Sequence, residues 1–259
     1  MIWFDGVSSD DVGVRVEHSP NFYLPARKGD VISIPGRSGD IAIEQNAWEN
    51  YTRYYDIYIS AEFATGKLPA VMRNVSNWLN KSGYLRLEDS YDPGVFYRAR
   101  FAGGISVTNH LGRYGRAKIG FDCDPRKYLT SGETPVTATG TVELNNPSIV
   151  PAYPKITFTL AQGDHIFLTQ LPESEYGGTY HDIMDWVAPS AGTYTFDYET
   201  LTISYPLSEQ HPTYYSPYVP SLDDFFPLYT GKTSIHLYKM VGSQTQDLSF
   251  SVVPRWAVL

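Results

Sequence analysis

Apolar and polar residues alternate with a period of two along most of the chain. Residues 12–17 do so, as do residues 31–34, where Pro35 and Gly36 end the run. Residues 54–63, 83–88, 97–101 and 118–123 continue the pattern. A strand sends successive side chains to opposite faces, so these segments predict half-buried, mostly antiparallel strands. One segment departs from the period. Leu68, Val71, Met72, Val75, Trp78 and Leu79 recur at helical spacing. They predict one amphipathic helix near residues 67–81, lying over a sheet, with Gly83 placed to stop it.

Residues 129–152 are rich in Thr, Gly, Pro and Asn and predict a linker zone, within which residues 139–144 could pair as a strand. Beyond it, residues 155–160, 165–169, 192–197, 201–205, 233–238 and 248–253 predict a second set of strands. Their short, turn-bounded spacing suggests a sandwich. Residues 172–191 and 206–227 keep no period and read as two long loops, the kind that more often carry function.

Charge supports a division of the chain. Residues 1–130 hold 16 Lys and Arg against 15 Asp and Glu, whereas residues 131–259 hold 4 against 13. The expectation is therefore a first domain over 1–130 and a second over 131–259. An acidic second half makes a poor duplex binder, because such binding rests on neutralising phosphates. The chain's 21 tyrosines suit surfaces where a ring is half buried and half wet. Met1 to Asp5 has neither a basic region nor a long apolar stretch, which predicts no signal peptide and folding in a cytoplasm. No run reaches the roughly 18 apolar residues of a membrane span. Cys123 is the one cysteine; between Asp122 and Asp124 it predicts a buried, inert thiol and no disulfide within the chain.

The residues offer no catalytic apparatus. The glycines at 103, 104, 112 and 115 form no phosphate loop, and Arg37-Ser38-Gly39 is not a nucleophile elbow. His181, Asp182 and Asp185 could in principle hold a metal, but a short acidic loop reads first as solvated surface. The acid pairs Glu88/Asp89 and Asp223/Asp224 are sequence neighbours, and neighbours on a strand face opposite ways rather than across a cleft. The expectation is no enzyme, no cofactor and no metal. The aromatic loops carry more: Tyr176, Tyr180 and Trp186 in one, Tyr214, Tyr215 and Tyr218 in the other, the second stiffened by Pro212, Pro217 and Pro220. These rings suit a protein partner or a sugar face, or alternatively close the edges of a sandwich.

Two motifs then stand out in order. The first is Val31-Ile32-Ser33-Ile34-Pro35-Gly36-Arg37-Ser38-Gly39-Asp40. The second runs Asp223-Asp224-Phe225-Phe226-Pro227-Leu228-Tyr229 and on to Ile235. Between them come the helix ending in Trp78-Leu79, Phe96 to Arg100, Phe121-Asp122-Cys123-Asp124-Pro125, and Pro151-Ala152-Tyr153-Pro154. Taken together, this order resembles the distal tail protein (Dit) family of siphophages and related prophages. The resemblance implies a mostly β chain: an N-terminal β domain with one helix, of the ring-forming type, followed by a C-terminal galectin-like β-sandwich. It implies a structural hub of the virion's tail tip, or baseplate. A homohexameric ring would join the major tail tube protein to the tail-tip protein, with DNA passing through the lumen. The C-terminal domains would face receptor-binding proteins or the host cell wall during adsorption. Neither membrane insertion nor sequence-specific nucleic-acid binding is expected. The family motif falls on Pro35, Gly36, Arg37 and Gly39, and on Asp224, Phe225, Phe226 and Pro227, where the roles expected are structural. Ser38 stands where an acidic residue is common. The other reading of the same residues is a carbohydrate-binding module that grips host glycans through the second domain.

Overall fold

The computed structural model describes residues 1–60, 68–110, 114–172, 181–205, 214–216 and 227–259. The chain is mostly β, with one α-helix among those residues. It divides into two compact units, Met1–Lys127 with Leu259, and Tyr128–Val258.

The first unit opens with β1 (Ile2–Phe4), β2 (Val7–Ser8) and β3 (Val14–Val16). A hairpin of β4 (Arg27–Ile32) and β5 (Ile41–Trp48) leads into β6 (Tyr51–Ser60). Then come α1 (Leu68–Leu79), β7 (Leu85–Asp89), β8 (Val95–Phe101), β9 (Thr108–His110) and β10 (Tyr114–Leu129). The main sheet runs β2-β1-β7-β8-β10-β6-β3, with β9 beside β10. Strands β6 and β10 are antiparallel from Tyr114 opposite Ser60 to Cys123 opposite Tyr51. Their alternation sends Tyr55, Ile57, Ile59, Ile119, Phe121 and Cys123 to one face, all fully buried. Helix α1 closes that face with Val71, Val75, Trp78 and Leu79, the stripe that the helical spacing predicts. Trp78 meets Phe4 edge-on and donates its indole N–H to the Val7 carbonyl. Burial pushes the Cys123 thiol up to about 12, so it behaves as a small hydrophobe.

A charged pair lies inside this unit. Arg53 is 1% exposed and Asp89 3%. Asp89 Oδ2 accepts from Arg53 Nη2 at 2.7 Å, Arg53 Nε at 3.1 Å and the Tyr55 hydroxyl at 2.7 Å. Its other oxygen accepts the backbone N–H groups of Tyr91 and Asp92. Tyr97 stacks under the guanidinium at 4.7 Å. The carboxylate is thus fully occupied in fixing the β7–β8 turn against β6, while Glu88, on the other face, pairs with Arg86.

The second unit holds β11 (Val136–Thr139), β12 (Thr141–Asn146), β13 (Lys155–Leu160), β14 (His165–Pro172), β15 (His181–Val187) and β16 (Gly192–Asp197). It continues with β17 (Thr202–Tyr205), β18 (Tyr214–Ser216), β19 (Gly231–Val241), β20 (Gln244–Asp247) and β21 (Ser249–Val253). One sheet runs β11-β21-β13-β16-β17-β18; the other runs β12-β19-β14-β15, with β20 on β19. Their inner faces share one core. Ile156, Phe158, Tyr194, Phe196, Phe250 and Val252 come from the first sheet, and Val142, Leu144, Ile166, Leu168, Ile235 and Leu237 from the second. This is a two-sheet sandwich. The stretch expected to be a linker contributes a strand to each sheet, and the chain passes between them at Gly140 (φ +75°). There the N–H donates to Leu248 and the carbonyl accepts from Leu237. The loop expected over 172–191 contains β15.

Candidate assembly surface

The motif in the first unit forms the tip of the β4–β5 hairpin. Ile34 accepts a hydrogen bond from the Arg37 N–H at 3.1 Å, with Pro35 and Gly36 (φ +84°) between them. Proline first and a left-handed glycine second define a type II turn. Gly39 (φ +82°) makes the second bend before β5. Register is set at the base. Gly29 sits opposite Glu44 beside a bulge, and a Cβ there would lie 2.6 Å from the Ile43 carbonyl oxygen. Arg27 pairs with Glu44 and lies 4.9 Å over the Trp48 ring.

What the alternation did not show is where this strand pair goes. The two strands form a sheet of their own, and every residue of β4 is exposed. Ile32 lies opposite Ile41, and Asp30 opposite Ile43, so these four share one face. Ile43 is 50% exposed and Ile32 46%; Val31, on the other face, is 68% exposed. Upstream, Phe22 and Leu24 are exposed as well. Isoleucines exposed on an unpaired strand face make this hairpin the candidate for an interaction surface.

The sheet face away from α1 has a different character. Arg100 pairs with Asp122 at 2.8 Å, Arg116 with Glu17 at 2.9 Å, Lys118 with Asp56 at 3.9 Å, and Arg86 with Glu88. Asp122 also accepts from the Tyr84 hydroxyl and the Asn50 amide. Partial burial raises its carboxyl, but the bonds from Arg100, Tyr84 and Asn50 outweigh that and hold it below the usual value. Each of these cations is matched by a carboxylate, which leaves little charge free for phosphate.

In the second unit the other motif meets Pro151-Ala152-Tyr153. Ala152 and Leu228 exchange backbone hydrogen bonds at 2.8 and 3.0 Å, and Pro227 is buried beside them. Asn146, 2% exposed, clamps the junction. Its amide donates to the Val150 and Leu228 carbonyls, and its oxygen accepts from Ser148. Asp224, Phe225 and Phe226 lie outside the described residues, as do Tyr176, Tyr180 and Tyr218. Tyr214 and Tyr215 stand in β18, opposite Tyr205 and Ser204. Trp186 is in β15 rather than in a loop, half-buried, with its ring edge-on to Tyr194 at 5.4 Å. Of the three residues weighed as metal ligands, Asp185 hydrogen-bonds to His165; the His181 and Asp182 side chains lie outside the described residues. Among the described residues no three His, Cys, Asp or Glu side chains gather as a metal site, and no helix is long and apolar enough to cross a membrane.

A ring ladder on the outer face of β14 and β19 was not visible in the sequence. His165, Phe167, Tyr238 and His236 follow one another at 4.7, 5.3 and 4.9 Å between centroids. The Asp247 carboxylate accepts from the His236 imidazole Nε2 at 3.0 Å, and the Asp185 carboxylate accepts from that of His165. The members come from two strands far apart in sequence, so only the pairing of Phe167 with Tyr238 reveals them.

No family model matches the chain, and no curated protein matches it. Solved structures do. The chain is similar to the SPP1 Dit protein, described as a paradigm of the hub adsorption apparatus in phages infecting Gram-positive bacteria. The TM-score is 0.66 at 14% identity, over 100% of this chain and 98% of that one. It is also similar to a chain of the phage P2 baseplate in its activated conformation with Ca, with a TM-score of 0.50 at 11% identity over 93% and 90% of the two chains. The fold is Dit-like from end to end.

Proposed function

We propose that the chain is the structural hub of a phage tail tip, without enzymatic activity. Six copies form a ring through their first units, between the tail tube protein on one side and the tail-tip protein on the other, with DNA passing through the lumen. The second unit is the galectin-like, outward-facing domain that carries receptor-binding proteins. In the infected host the chain is made in the cytoplasm and ends in the virion. The observation that carries this reading is the β4–β5 hairpin, a strand pair with an exposed isoleucine face and no neighbouring strand among the described residues, on a chain whose whole length follows the Dit fold. A heterologous contact that closes on itself gives a ring and satisfies such a surface. The charge-balanced sheet face suits a wall along which DNA slides. Negative-stain imaging of the purified chain tests the proposal: sixfold rings with a central hole support it, and monomers at all concentrations count against it.

One observation favours a second reading, glycan recognition by the second unit: the ladder of Phe167 and Tyr238 flanked by His–Asp pairs. Sugars pack on aromatic rings and bond to such polar neighbours. Binding to cell-wall glycan that Tyr238→Ala abolishes supports this reading, and an absence of glycan binding removes it.

A further inference from the structure

The hairpin leaves one question open, namely what covers its isoleucine face. The first unit carries a groove of about 280 Å³ between α1 and the segment after β8, lined by Met72, Val75, Leu79, Phe101 and Ile105 and by the polar Ser76 and Asn80. Gly103 and Gly104, both left-handed (φ +89° and +66°), turn the chain here so that Ile105 lies across from the helix. A cavity of about 150 Å³ accepts one benzene-sized group, so the groove has room for roughly two aliphatic side chains.

We infer that the groove receives the β4–β5 hairpin of a second copy of this chain, with Ile43 and Ile41 or Ile32 entering it. This rests on the hub reading and specifies its contact. Charge selects the occupant. Arg73 is exposed one helical turn before the groove residue Ser76 and has no ion pair among the described residues. Helix α1 carries no carboxylate. On the hairpin, Asp30 shares the face of Ile43 and likewise has no ion pair among the described residues. A strip of isoleucines with one carboxylate thus matches a groove of aliphatic, aromatic and small polar side chains with a guanidinium beside it, and both belong to the same chain. The patch and the groove are different surfaces, so the contact is head-to-tail, the type that builds rings. An eight-residue strand spans about 25 Å, which lets the hairpin reach a neighbour.

The test uses cysteine pairing in the full chain. Cys123 is buried and inert, so introduced thiols dominate the chemistry. The double variant Ile43→Cys/Ser76→Cys, oxidised at assembling concentration, is expected to give a ladder of cross-linked copies on a non-reducing gel. Mixing the two single variants should give a mixed dimer. Rings in the microscope without cross-links overturn the groove assignment and leave the hub reading standing. A disulfide within one copy, or monomers without cross-links, overturns it too. A second arm reverses charge. Arg73→Asp should weaken assembly at least tenfold, and adding Asp30→Arg should restore it. Loss without restoration, in variants whose circular dichroism is unchanged, overturns the pairing.

Discussion

Replacing Arg53 with Met tests how the first unit is held together. The substitution keeps an unbranched stem and removes the guanidinium with its charge. Asp89 then loses two hydrogen bonds and its counter-charge, and keeps the Tyr55 hydroxyl and two backbone N–H groups. Breaking a buried pair by removing one partner costs about 3–5 kcal/mol, since the other charge stays buried. The pair lies 1% and 0% exposed at its side chains, so solvent screening offers no relief. Removing the charge on both sides, as in Arg53→Met/Asp89→Asn, should recover about 1–3 kcal/mol of that loss as the coupling between neighbours. Urea unfolding read by hydrogen exchange, peptide by peptide, measures each unit separately. With a slope of about 1–3 kcal/mol per molar urea, the midpoint for peptides of the first unit should fall by about 2 M. Peptides of the second unit serve as the control and should stay in place. A loss below about 1 kcal/mol, or a double variant worse than the single, would refute the reasoning.

Three other outcomes are expected. Gly140→Ala forces a side chain into a left-handed position, where its Cβ would lie 2.4 Å from the Asp247 carboxylate; the second unit should lose about 1–3 kcal/mol by thermal unfolding. Asn146→Ala removes the side-chain partner of the Val150 carbonyl and the Ser148 N–H and leaves the Leu228 carbonyl with the Ala152 N–H alone, for a loss of about 2–4 kcal/mol and faster exchange around Leu228. Asp197 receives Arg255 at 2.7 and 2.8 Å. Burial raises its carboxyl, but the hydrogen bonds and charge of Arg255 prevail and hold it below the usual range. Its contribution is therefore present above the unfolded value of about 3.9 and lost as pH falls through the folded value. Acid titrations of wild type and Asp197→Asn should differ at neutral pH and converge on acidification.

Much of the fold was legible because local period reports on burial. The stripe from Leu68 to Leu79 became α1, and alternation over 118–123 became the buried face of β10. What alternation could not convey is which faces meet. Residues 31–34 alternate as a half-buried strand should, yet β4 is exposed, because alternation marks a face that can be buried and carries no information on what covers it. Glu88/Asp89 looked like an acid pair, and the difference between them lies in Arg53, 36 positions away. Residues 129–152 looked like linker, with only residues 139–144 legible as a strand, because a sheet switch at one glycine needs small and polar residues around it. The ring ladder depends on the register of β14 with β19, which no local pattern encodes. The two motifs did mark real joints, a type II turn and the Ala152–Leu228 junction, since proline and glycine leave a local signature.

The central claim is that the first unit assembles through its hairpin. Native mass spectrometry of the purified chain, beside a variant with Ile32, Ile41 and Ile43 all changed to Ser, tests it most directly. At about 0.5–1.5 kcal/mol for each half-buried aliphatic side chain, the three changes remove about 2–4 kcal/mol per contact, a loss of roughly 30- to 1,000-fold in affinity. The account predicts a closed hexamer for the wild type and a folded monomer for the variant. A wild type that stays monomeric, or a triple variant that still forms the hexamer, would contradict it.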